Sequence, residues 1–169
     1  PTFLAVERGY FKDEGLDPKI EFFQAAQPMA VAIASGDVDF GVTAVTAGLI
    51  SLAEKGALKV IGGALQEEAG IDGQIILASR QAWEAGLHTP KDLRNRTFGI
   101  TTHGSSFHYM VHKIADKVGI RRSDIQLKPL QQVGALVGSL STGQIDAWSI
   151  VPDIGKTLTQ GDGMAVVES

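Results

Sequence analysis

Apolar residues along this chain fall into two spacings, short continuous runs that suit buried strands and runs repeating every three or four positions that suit amphipathic helices. In the first part of the sequence the pattern predicts helices over residues 2–8, 10–14, 27–35 and 47–55, each followed by a glycine stop, and strands over residues 19–23, 38–42 and 58–62. Phe3, Leu4 and Val6 supply the apolar side of the first helix, and Pro28 fits the first turn of the third, where a missing N–H goes unnoticed. A polar, glycine-bearing segment over residues 66–73 reads as a linker, and an apolar strand over residues 74–79 leaves it. Beyond it, strands over residues 97–101, 125–127, 147–151 and 164–167 alternate with helices over residues 90–94, 105–118, 132–141 and 152–159. Thr89, Pro90 and Asp92 open the first of these helices as cap, first helical residue and first-turn carboxylate. Such alternation predicts an α/β fold with mainly parallel sheets, whose ligands sit beyond the carboxyl ends of the strands, here the loops at Gln24, Thr43, Thr102 and Val151. The expected division is 1–78 and 79–169, with a hinge strand at 74–79.

One stretch recurs. Residues 33–42 read Ile-Ala-Ser-Gly-Asp-Val-Asp-Phe-Gly-Val and residues 140–149 read Leu-Ser-Thr-Gly-Gln-Ile-Asp-Ala-Trp-Ser, each a helix end, a glycine turn and a buried strand. Upstream, the helix end at Gly15-Leu16 and the strand after it match the helix end at Gly119-Ile120 and the strand that follows. Two similar α/β units in tandem are therefore expected. A strand before the first helix belongs to such a unit as well.

Composition narrows the function. With 44% hydrophobic and 20% charged residues over 169 positions the chain can bury a core, and a net charge of −4 without a clustered Lys/Arg surface argues against nucleic acid. Zero cysteines exclude disulfides, thiolate catalysis and Cys-based metal sites. No apolar run has the length of a membrane span, so direct membrane insertion is not expected, and the first residues lack the order of a signal peptide.

The clearest chemistry lies in Thr101-Thr-His-Gly-Ser-Ser106, a loop predicted to join a strand to a helix N-terminus. Free amides, a partial positive charge and two hydroxyls there can cradle an anion; equally, Ser105 or Ser106 can simply cap the helix. His108, His112 and Asp116 repeat every four residues, a spacing that suits either metal ligands or a solvated stripe, and the helical wheel favours the stripe. Asp37 and Asp39 read as turn and strand-entry residues rather than a catalytic pair. No nucleophile elbow, phosphate loop or His-Glu-x-x-His motif is present, so neither an enzyme nor a resident cofactor is expected.

Five ordered motifs carry a resemblance: Glu7-Arg-Gly-Tyr-Phe-Lys-Asp-Glu-Gly-Leu-Asp17, Ser35-Gly-Asp-Val-Asp-Phe-Gly41, Asp92-Leu-Arg-Asn-Arg-Thr-Phe-Gly99, Gly104-Ser-Ser-Phe-His108 and Gly143-Gln-Ile-Asp-Ala-Trp148. Together they resemble the substrate-binding proteins of nitrate, sulfonate, taurine and thiamine-precursor ABC importers. The resemblance implies the type II periplasmic-binding fold, two α/β lobes closing on a small anion, a membrane permease as partner and a periplasmic or other extracytoplasmic location. It further implies that Gln24, Ala25, Thr43, Ala44, Thr102, Ser105, Ser106, His108, Val151 and Pro152 face the ligand. Against that family's length the chain resembles a fragment lacking the first strand and the C-terminal return crossing. Two other readings share the fold: the effector-sensing domain of a transcription regulator, and an enzyme of thiamine-pyrimidine synthesis, whose cysteine-rich iron-binding segment has no counterpart here.

Overall fold

The computed structural model describes residues 2–63, 73–160 and 164–167; of the predicted linker only Gly73 falls within them. The first region contains four helices, α1 (Thr2–Glu7), α2 (Tyr10–Asp13), α3 (Ala26–Ser35) and α4 (Ala47–Glu54). Each lies where the apolar spacing predicts one. The second region alternates β1 (Ile75–Ser79), α5 (Arg80–Glu84), β2 (Thr97–Ile100), α6 (Ser106–Val118), β3 (Gln126–Pro129), α7 (Val133–Ser141), β4 (Ala147–Ile150), α8 (Pro152–Thr159) and β5 (Met164–Val166). Helix α5 carries little apolar periodicity in its five residues; its signal is Ser79, whose hydroxyl caps it by accepting from the Ala82 amide at 3.1 Å.

The strands form one sheet in the order β3-β2-β4-β1-β5. β2 pairs in parallel with β3 and β4, while β1 pairs antiparallel with β4 (Ile76 against Ser149) and with β5 (Ala78 against Ala165). β2, β3, β4 and β5 therefore point one way, as the strand and helix alternation predicts, and β1, arriving from the first region, is inserted against them. Period-two alternation along β1 sends Leu77 to one face and Ala78 to the other. On one face Phe98, Ile100, Ala78 and Ala147 pack against Val111 and Ala115 of α6; on the other Leu77, Trp148 and Ile150 pack against Leu136 and Leu140 of α7. Three layers result, helix on sheet on helix.

The strands predicted over residues 19–23, 38–42 and 58–62 are not formed, although no helix replaces them. A strand is stabilised by its ladder, and among the described residues no backbone ladder hydrogen bonds join these segments to a neighbour. Phe22, Phe40 and Ile61 are accordingly 69%, 77% and 80% exposed.

Candidate functional site

Ser105 is the N-cap of α6: its hydroxyl accepts from the His108 amide at 3.3 Å, and the side chain is 5% exposed. The capping role, one of the two that the sequence allows, is thus filled. Ser106 and Phe107, the first two helical residues, keep backbone amides without a hydrogen-bond partner among the described residues, as the start of a helix leaves them. Gly104, in the left-handed conformation with φ 81°, brings the two regions together; its carbonyl accepts from the Ala47 amide at 2.9 Å, and a Cβ on it would stand 3.0 Å from the Ala47 Cβ. A larger residue here would push α4 away from α6.

Between the regions lies a cleft of about 280 Å³, near the lower limit for small-molecule sites. Of the residues proposed from sequence it brings together Gln24, Ala25, Thr43, Ala44, Thr102, Ser105 and Ser106. It adds residues that sequence reasoning missed, among them Gln27, Thr46, Gln74, Thr101, Phe107 and Val133. Ala25 and Ala26 belong to the start of α3, Thr46 caps α4, Ser105 to Phe107 open α6, and Val133 opens α7, so four helix N-termini meet at one cavity. Among the described residues no Asp, Glu, Lys, Arg or His lines it. Each helix end contributes to the field inside a partial charge of roughly +0.5 from its peptide dipoles. Thr46 Oγ1 accepts from the Leu49 amide at 3.1 Å and donates to Gln27 Oε1 at 3.2 Å, which ties α3 to α4. Phe107 reaches the other way, its ring 6.0 Å from that of buried Trp148, and so fixes the start of α6 on the core. A more open depression of about 530 Å³, edged by Asp37 and Gln131, adjoins the cleft across Ala25, Gln27 and Thr102.

Three residues proposed for the site do not line the cleft: His108, Val151 and Pro152. His108 lies one turn into α6 and turns back, its Nδ1 accepting from the Gly104 amide at 2.9 Å and its Nε2 lying 3.2 Å from His112 Nε2. With Nδ1 an acceptor, the neutral ring carries its proton on Nε2 and donates to His112. Burial pushes the His108 pKa below the usual 6.5, and the neighbouring His112 and His103 rings lower it further. Val151 is the residue before α8 and is 39% exposed; Pro152 begins that helix, placed by its ring at the first turn.

The other candidate groups have partners of their own. Asp116 is engaged by Arg122 through bonds of 3.0 and 2.7 Å, so it does not complete a metal site with the histidines, and no group of three potential metal ligands occurs among the described residues. Ser105 Oγ meets the backbone of His108 rather than its ring, which leaves no serine–histidine couple there. Asp37 accepts from Ser35 Oγ at 2.7 Å in the turn after α3, its expected place.

One region of helices beside a three-layer α/β unit, with a cleft between them, is the arrangement of the type II periplasmic-binding fold. The chain belongs to the family described as NMT1/THI5 like, which matches residues 1–166. It is 24% identical over 164 residues to a Brucella abortus (strain 2308) protein named "Putative binding protein", covering 96% of this chain and 47% of that one. Among solved structures, a Bordetella bronchiseptica RB50 protein is 28% identical, with a TM-score of 0.70 over 97% of this chain and 50% of the other. The alkanesulfonate-binding protein SsuA from Xanthomonas axonopodis pv. citri, bound to MOPS, is 18% identical, with a TM-score of 0.71 over 99% of this chain and 56% of the other. The chain spans about half the length of the curated relatives it matches.

Proposed function

We propose that the chain is part of the solute-binding component of an ABC importer, working outside the cytoplasm and delivering a small anion to a membrane permease. The observation that carries this reading is the meeting of four helix N-termini around a hydroxyl-bearing cleft with no charged side chain among its described residues, a field suited to an anion held by amides. The first region and the α/β unit that begins with β1 act as two lobes that close on the ligand; because Ile75–Ala78 pair within the second region's sheet, the boundary falls before β1 and not at 78. Ser106 and the amides of Ser106 and Phe107 take the charged end; Gln24, Thr43 and Thr102 shape the rest. Family membership and the alkanesulfonate-binding neighbour support binding as the task, and no helix among the described residues is long and apolar enough to cross a membrane. Isothermal titration against sulfonates, carboxylates and nitrate tests the reading. An anion is expected to bind unchanged, and Ser106→Ala to weaken it about 10-fold by loss of one charge-assisted hydrogen bond. Chemical conversion of the bound compound, or binding confined to cations, would sink it.

A further inference from the structure

We propose that Gln74 selects ligands that carry a hydrogen-bond donor, an O–H or N–H group, in addition to their anionic end. This rests on the anion-binding reading above and names the ligand class more closely. Gln74 stands just before β1 and lines the cleft with Ser105, Ser106 and Thr102. Its Oε1 is buried and has no hydrogen-bond partner among the described residues, although the residue as a whole is only partly buried. The torsion that turns a carboxamide is soft and broad, so Oε1 can swing to the cleft without any movement of the backbone.

An acceptor in this state discriminates strongly. In its buried position the oxygen has no partner to give up, so a ligand donor that draws it to the cleft gains a hydrogen bond without breaking one in the protein, whereas a ligand presenting a methyl group leaves the oxygen orphaned. Two other polar side chains of the lining are occupied, since Gln27 Oε1 accepts from Thr46 and Ser105 Oγ accepts from the His108 amide. The competing account lies one ladder step away. Ser149 pairs with Ile76 across β1 and β4, shares a face with Gln74, and has a buried Oγ that also lacks a partner. If Gln74 served only to meet Ser149, its role would be structural.

Titration of the full chain with isosteric pairs separates these accounts: 2-hydroxyethanesulfonate against propane-1-sulfonate, and hydroxyacetate against propanoate, with 2-aminoethanesulfonate as the N–H arm. The donor-bearing member of a pair is expected to bind about 10- to 100-fold more tightly. In Gln74→Met, which keeps the length and removes the acceptor, that ratio is expected to collapse towards one, with melting of the unliganded variant unchanged or raised. Equal affinities within each pair for the wild type, or a ratio that survives Gln74→Met, would overturn the proposal and leave the anion reading standing. Failure of every anion to bind would overturn both.

Discussion

The two copies of the repeated motif fold alike bond for bond and then part company. In the first, Gly36 donates to the Ile33 carbonyl at 3.2 Å, and Asp37 and Val38 both donate to Ala32 at 2.9 and 3.2 Å. In the second, Gly143 donates to Leu140 at 3.1 Å, and Gln144 and Ile145 both donate to Ser139 at 2.8 and 3.3 Å. Both glycines take left-handed φ, 84° and 71°. Four residues later the copies diverge: Phe40 is 77% exposed and Val42 59%, whereas their counterparts Ala147 and Ser149 are 0% and 2% exposed within β4. Ten residues of pattern encode the turn in both places. The strand exists only where β1 and β2 lie on either side to pair with it.

That contrast can be broken most visibly at the buried copy. Trp148→Ala should cost about 3–5 kcal/mol of unfolding free energy, read by circular dichroism in denaturant, because it empties the largest fully buried site of the sheet. Phe40→Ala should stay within about 0.5 kcal/mol in the same assay. A comparable loss for Phe40 would mean that a covering layer protects it in solution. The glycines sharpen the comparison. Alanine at either position carries the left-handed penalty of about 1–2 kcal/mol; at Gly36 its Cβ meets open space, and at Gly143 it meets the movable end of the Gln81 side chain, which can turn aside. Gly143→Ala, in the turn that feeds β4, should show that penalty as lower global stability, and Gly36→Ala chiefly as faster hydrogen exchange around Asp37 and Val38.

Smaller effects distinguish a cap from a ligand contact. Ser105→Ala removes the α6 cap and should cost about 1 kcal/mol of stability while changing anion affinity less than Ser106→Ala does. Melting and titration on the same two variants separate the roles. The smallest effect is in pH. His108 is held neutral by burial and by its bond from Gly104, so its folded pKa lies below its unfolded value. Stability from this group is complete above about 6.5, the ordinary histidine value, and is lost as pH falls from there through the lowered folded pKa. A His108→Gln variant should flatten that part of the melting profile; an unchanged slope would place the titration elsewhere.

Most helices and the strands of the second region are legible in the sequence because their signals are local: apolar spacing, Ser105 as cap, Pro90 and Pro152 at first turns, glycine stops. The first-region segments carry the same local signals, yet pairing is not local, and residues 19–23 make no ladder hydrogen bonds among the described residues. Site residues divide in the same way. Ser105, Ser106 and Thr102 announce themselves as a loop before an amphipathic helix. Gln27, Thr46 and Val133 belong to the cleft only because α3, α4 and α7 happen to start where α6 starts, and no motif within one element records that meeting. His108 misled because it follows the serines by two and three positions on a helix that turns its ring back towards Gly104.

The helix ends around the cleft bear one further consequence. Partial charges of the same sign around one cleft repel one another, so on the proposed function an anion would be the counter-ion that lets the walls approach. Occupancy and closure are then a single equilibrium. The part of this field that comes from peptide groups does not titrate, and among the described residues no ionisable side chain of the lining adds to it.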